Sequence, residues 1–162
     1  TMSNKKIDLR QGSTIFLKLG IVSIALIVVA LCVFALPHAI SSDVTGLYSP
    51  ILFGMYVTAV PFFFALYQGL IILKNIEKNK AFSVLSIKAL RYVKYCAMTI
   101  GSIYAVGIPY IFIIADIDDA PGVIVLTMII IFTSFVIAAS AGVFQKLLQS
   151  AIEMKSENDL TV

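Results

Sequence analysis

The sequence predicts an all-α integral membrane protein: a four-helix bundle with both termini in the cytoplasm and an amphipathic helix between spans two and three. Three observations carry that expectation. Hydrophobic residues make up 60% of the 162-residue chain and charged residues 13%, with a mean hydropathy of +1.00, whereas soluble domains run near half apolar and a quarter charged. Uncharged apolar runs cover Leu19 to Leu36, Pro50 to Leu73, Tyr95 to Ala115 and Gly122 to Gln145, each near the roughly 20 residues that cross the hydrocarbon as a helix. Finally, the twelve Lys and Arg residues fall only within Lys5 to Lys18, Lys74 to Lys94, and Lys146 to Lys155. The two intervening loops carry Asp43, and Asp116, Asp118 and Asp119, with no basic residue. Basic loops stay in the cytoplasm.

The expected organisation is one membrane domain over residues 1–162, with spans near 15–36, 51–73, 95–115 and 122–146, a basic linker 74–94 and a tail 147–162. The net charge of +3 sits beside the spans, so it anchors and orients the chain in the bilayer and does not indicate direct nucleic-acid binding.

Residues 2–13 are polar and expected to lie on the inner membrane surface before a helix that begins near Thr14. Lys18 can snorkel from that end. A basic stretch before an apolar run resembles a signal peptide, but Leu36, Pro37 and His38 follow the run in place of a small-x-small cleavage site. An uncleaved first span, ended by Pro37, is therefore expected. Tyr48 and Tyr56 suit the outer interfacial zone.

Span two differs from span one because it contains Thr58, Pro61 and Gln68 among aromatic residues, including Phe62, Phe63 and Phe64. Pro61 removes a backbone donor and is expected to bend the helix. Gln68 needs a partner in hydrocarbon and is expected to face the bundle, as helix glue ahead of any ligand contact.

The linker holds six of the twelve basic residues. Ser83 is placed to N-cap a helix, with Phe82 and Ile87 as a hydrophobic staple. Lys88, Arg91 and Lys94 then share one face, and Ile87, Leu90 and Val93 another. This pattern fits a helix on the inner leaflet or a downward extension of span three, and the sequence leaves both open. In the tail, Val143, Leu147, Ala151 and Met154 recur at helical spacing. Lys88, Arg91, Lys94, Leu147, Ala151 and Met154 form the candidate partner-binding surface; Pro61, Gln68 and Pro109 are the candidate polar and kink positions inside the bundle.

Ala97, Gly101, Ala105 and Pro109 in span three, and Ser134, Ala138 and Gly142 in span four, recur every four residues. Such stripes let helix backbones approach closely in lipid. They fit a packed pair of spans and, equally, a homodimer interface. The turn between these spans carries Asp116, Asp118 and Asp119. Carboxylates suit hard cations, but the turn lacks an EF-hand's length and glycine placement, and a solvated acidic turn is the preferred reading. His38, Cys32 and Cys96 lack metal-ligand spacing, and both thiols are expected to be free. No cofactor motif, no serine with a nearby base and no paired intramembrane carboxylates occur, so an enzyme is not expected.

Phe63, Ala65, Leu66, Tyr67 and Gln68, then Asn79 to Ser83, Lys94 to Ala97, Asp118 to Gly122 and the ending Lys155 to Val162 resemble the YoaS-like family. These are small four-span bacterial membrane proteins catalogued as a domain of unknown function. The resemblance implies a multi-pass protein of the bacterial cell membrane. Members are often encoded beside a small Cro-like helix-turn-helix DNA-binding protein, which implies that the two act as a pair. The leading expectation is a sensory or regulatory partner of such a cytoplasmic regulator. The alternative is a small transporter or immunity protein that binds an amphiphile or peptide within the bundle, although no charge lies in mid-span where coupled carriers usually place one.

Overall fold

A computed structural model describes the backbone of residues 2–43, 45–78 and 83–160, and side chains within them from Gly12 onward. The described residues form α1 (Met2–Ala30), a π-helical turn (Leu31–Ala35), α2 (Leu36–Ser42), α3 (Ser49–Glu77), α4 (Val84–Ile117) and α5 (Pro121–Leu160). Gly12–Ser42, Ser49–Glu77, Val84–Ile117 and Pro121–Leu160 are each long and apolar enough to cross a membrane. Phe16, Phe34, Val60, Val106 and Phe132 all stand exposed on their outer faces. Water would penalise that surface, whereas lipid tails match it.

Span one departs from the expected boundaries. Its helix is already formed at Met2 and continues through Pro37 to Ser42. A proline mid-helix lacks a donor and clashes with the carbonyl four residues back. The π-helical turn placed just before it resets the ladder: Leu36 N–H donates to the Leu31 carbonyl, and Pro37 falls in the opening turn of α2, where its missing donor costs nothing. The Cys32 carbonyl within this turn accepts a 2.6 Å hydrogen bond from the Tyr56 hydroxyl. Tyr56 is thus a bond across two helices as well as an aromatic residue in the apolar run.

Helices α3 and α4 run unbroken through Pro61 and Pro109. Ser83 has extended backbone angles and its hydroxyl accepts from the Ser86 N–H at 3.4 Å, which makes it the N-cap of α4. Phe82, the other half of the expected staple's anchor, lies outside the described residues. The amphipathic helix expected over residues 83–94 of the basic linker is present as the first three turns of α4, so the downward extension of span three is the arrangement found. Asn75 near the end of α3 donates to the Ser86 hydroxyl at 3.3 Å, with both residues buried. That bond closes the α3–α4 hairpin.

The α4–α5 turn is short. Asp118 N–H bonds to Ile114 and Ala120 N–H to Ala115, both at 2.9 Å, with Asp119 in the left-handed region at φ 49°. This is the Schellman arrangement, with aspartate in the place usually taken by glycine or asparagine.

Packing follows chain order: α1 lies on α3, α3 on α4 and α4 on α5. The α4–α5 seam is the closest. Ala97 and Gly101 meet a buried row of Ser134, Ala138 and Ala141, and a Cβ placed on Gly101 would lie 3.3 Å from both the Phe135 ring and Ser134 Cβ. Among the described residues no extensive seam joins α1 to α4 or α5. The bundle is therefore open along the edge between its first and last spans.

Candidate functional site

That open edge leads into a cavity of about 560 Å³ walled by all four spans. On α3 the wall is Met55, Thr58, Ala59, Phe62, Ala65 and Leu66, one helical stripe. Val28, Leu31, Cys32 and Leu36 face it from the first span, on both sides of the π-helical turn. From α4 come Val93, Ala97, Ile100 and Tyr104, and from α5 Ile129, Ile130, Thr133, Ser134 and Ile137. Alanines at three of these positions leave space that larger side chains would fill.

The lining is almost wholly apolar. Thr58, 5% exposed, donates to the Met55 carbonyl at 3.0 Å and sits 3.2 Å from the Tyr104 hydroxyl, so these two side chains satisfy each other across α3 and α4. Pro61, Gln68 and Pro109 are not part of the lining. Gln68 is buried at 6% exposure, so it faces inward as expected, beyond the end of the cavity. Pro61 is half-buried and Pro109 exposed. The polar pair inside the cavity, Thr58 with Tyr104, was missed because two residues far apart in sequence give no local signal.

A second region gathers at the end of the molecule where α4 begins. Lys88 and Arg91 are exposed on α4. Lys94 is half-buried, its amine 5.7 Å from the Tyr95 ring centre and its stem against Gly142. On α5, Leu147 and Met154 are exposed and Ala151 half-buried. The buried row of α5, continued by half-buried Leu148 and Ile152, faces α4, and Leu147 and Met154 lie off it. The apolar stripe of the tail therefore does not cover the basic turns of α4. Lys18 is not simply snorkelling: its amine pairs with Glu77 at 2.7 Å, which clips α1 to the end of α3.

The opposite end is held by aspartates and tyrosines. Asp43 accepts from the Tyr48 N–H at 3.0 Å, the Ser49 hydroxyl at 3.1 Å and the Thr45 hydroxyl at 3.2 Å. The Tyr48 hydroxyl donates to Asp118, and the Tyr110 hydroxyl donates to the Leu47 carbonyl at 2.8 Å. The loop before α3 is thereby latched onto the α4–α5 hairpin. The hydrogen bond to Asp118, then desolvation and the charges of Asp118 and Asp43, raise the Tyr48 phenol above its usual 10.0. Among the described residues no three carboxylate, thiol or imidazole groups converge to hold a metal ion. Cys32 and Cys96 are free thiols.

Four apolar spans around a cavity open to their own lipid-facing edge define a small multi-span integral membrane protein. The chain belongs to the family described as Protein of unknown function (DUF2975), whose model matches residues 37–162. It is 50% identical over 160 residues to the Uncharacterized membrane protein YoaS of Bacillus subtilis (strain 168), a match that covers 95% of this chain and 100% of that protein. No solved structure matches the chain.

Proposed function

We propose that the protein is a non-enzymatic regulatory component of the bacterial cell membrane, which holds or releases a small cytoplasmic helix-turn-helix regulator at its basic end. The excess of Lys and Arg at that end supports a cytoplasmic location for it and for both termini. The observation that carries the reading is the length of α5. Its 40 residues make a rod of about 60 Å, roughly twice the hydrocarbon thickness, so its last turns stand clear of the membrane with Leu147 and Met154 uncovered. Lys88 and Arg91 are exposed at the same end of the molecule, on α4. An apolar stripe and exposed cations at one end of the bundle offer an amphipathic, acidic helix a place to dock.

The test is co-expression with a Cro-like helix-turn-helix protein of the kind the family resemblance implies, followed by purification of the membrane protein. The expected result is a stoichiometric complex that Lys88→Glu with Arg91→Glu, or Leu147→Asp with Met154→Asp, disrupts. A complex indifferent to both pairs contradicts the surface, and a tail that instead pairs two copies of this chain identifies a homodimer.

The cavity favours a second reading, a carrier or immunity protein for an amphiphile. Gln68→Leu lies outside the cavity lining, so this reading predicts unaltered uptake or toxin protection in that variant and loss on filling the cavity.

A further inference from the structure

The cavity has a shape and a chemistry that select an occupant, independently of whether a regulator docks at the basic end. Its volume of about 560 Å³ falls in the range of roughly 300–1,000 Å³ typical of small-molecule sites. Its mouth lies between α1 and α5, which share no extensive seam, and its walls are membrane spans. Hydrocarbon is therefore the medium at the mouth.

Three occupants compete. Water needs about two to four polar partners in a cavity. Here Thr58 is bonded to Met55 and Tyr104 and the Cys32 carbonyl is taken by Tyr56, which leaves the hydroxyls of Thr133 and Ser134, neighbours on α5, as the remaining side-chain polar groups of a wall that is otherwise apolar. A peptide would bring backbone N–H and C=O groups that need partners in this lining and find few. A hydrocarbon chain asks for none. It gains little by leaving the lipid phase, since lipid tails are as apolar as the wall, but it restores the dispersion contacts that wall atoms forfeit beside a void.

We propose that the cavity holds one acyl chain of a membrane phospholipid, which enters sideways between α1 and α5. The α3 wall runs from Met55 to Leu66, about 16 Å of helix, and starts six residues, or about 9 Å, from Ser49. With Val93 to Tyr104 on α4 and Ile129 to Ile137 on α5, the wall straddles the middle of the spans, at the depth where acyl chains and not headgroups lie. Occupancy sets the spacing between α1 and the fixed α4–α5 pair, which gives bilayer composition a route to the rest of the protein.

The chain contains no tryptophan, so single-tryptophan reporters read the site cleanly. Phe62→Trp places a reporter in the cavity wall, and Phe132→Trp, at a position 72% exposed, reports ordinary surrounding lipid. Each full-length variant is reconstituted into phosphatidylcholine–phosphatidylglycerol vesicles with a rising fraction of lipids brominated on their acyl chains. Quenching of the Phe62→Trp reporter should grow in direct proportion to the brominated fraction, as one site does. The Phe132→Trp reporter should quench more steeply at low fractions, as several neighbouring lipids do. Aqueous acrylamide should leave the Phe62→Trp reporter unquenched. Adding Thr133→Phe, which fills the cavity from an exposed rim position, should cut Phe62→Trp quenching by about half or more and leave Phe132→Trp unchanged; Ala59→Leu should do the same from the α3 wall. Acrylamide quenching at the Phe62→Trp reporter, absence of quenching by brominated lipid, or indifference to both filling variants would overturn the proposal. No regulator is present in the vesicles, so failure here is distinct from failure of regulator docking.

Discussion

The α4–α5 seam and the α1–α3 seam hold the two edges of one bundle by different means. Between α4 and α5, Ala97 and Gly101 meet Ser134, Ala138 and Ala141, and closeness of the backbones does the holding. Between α1 and α3 the attachments are points: Lys18 to Glu77 at one end, Ile21 against Gly69, and Tyr56 to the Cys32 carbonyl toward the other. In lipid, apolar surface gains nothing from being covered by another helix. A seam of small residues is consequently continuous and stiff, while a seam of pinned points is the one that opens first. The cavity lies on the side of the loosely pinned helix.

The contrast breaks most severely at Gly101. Gly101→Val should overpack the tight seam against Phe135 and Ser134, at a cost of about 1–3 kcal/mol, seen as a lowered unfolding midpoint in mild detergent. Bulk added to the loose seam at Gly69, whose Cβ would meet only Ile21 Cδ1 at 3.6 Å, should cost clearly less.

Tyr56→Phe comes next. It leaves the half-buried Cys32 carbonyl without its partner, a loss of about 1 kcal/mol. The observable is faster maleimide labelling of Cys32 in a Cys96→Ala background, because α1 spends more time away from α3. Smaller again is Glu77→Gln. The ion pair with Lys18 is about a third exposed on one side and a quarter on the other, so a change of about 0.2–1 kcal/mol that shrinks with added salt is expected.

The smallest effect is at the acidic end. A phenol whose folded-state pKa is raised supports the fold fully at pH values below its ordinary 10.0 and ceases to do so as pH climbs through the raised value. Tyr48 should therefore ionise later than an ordinary tyrosine in an absorbance titration. Asp118→Asn should bring it back toward 10.0, since the largest cause of the shift is the bond to Asp118. Neutral-pH stability should fall slightly with the same change, because the contribution is fully present below 10.0 and the weakened bond is the one that latches the loop to Asp118.

Much of this fold was readable from residues alone. The four spans, the Ser83 cap and the small-residue pairing of α4 with α5 all follow from local composition and spacing, which is where a membrane sequence carries its information. Pro37 misled, because a proline reads locally as a stop and the π-helical turn that accommodates it has no sequence signature. The cavity was less legible still. Pro61 and Gln68 were singled out as rare polar or kinking residues in a span, yet the lining is built by Ala59, Ala65 and Ala97 and by the distance between α1 and α5. Space between helices is set by how they are placed, and no single run of residues encodes it. Likewise Tyr48, Tyr56, Tyr104 and Tyr110 each bond across helices or loops, partners that only the tertiary arrangement supplies.

The central claim is that α1 is a separable wall while α4 and α5 are a fixed pair. Double electron–electron resonance in vesicles tests it most directly, with one spin-label pair at Val28→Cys and Ile130→Cys across the cavity mouth and a second at Met98→Cys and Val136→Cys across the tight seam, both with Cys32 and Cys96 replaced by alanine. The account predicts a broad distance distribution for the first pair, which shifts when Thr133→Phe fills the cavity, and a narrow one for the second that does not. Equally narrow, unshifted distributions for both pairs would contradict it, because α1 would then be locked against α5 with no groove between them.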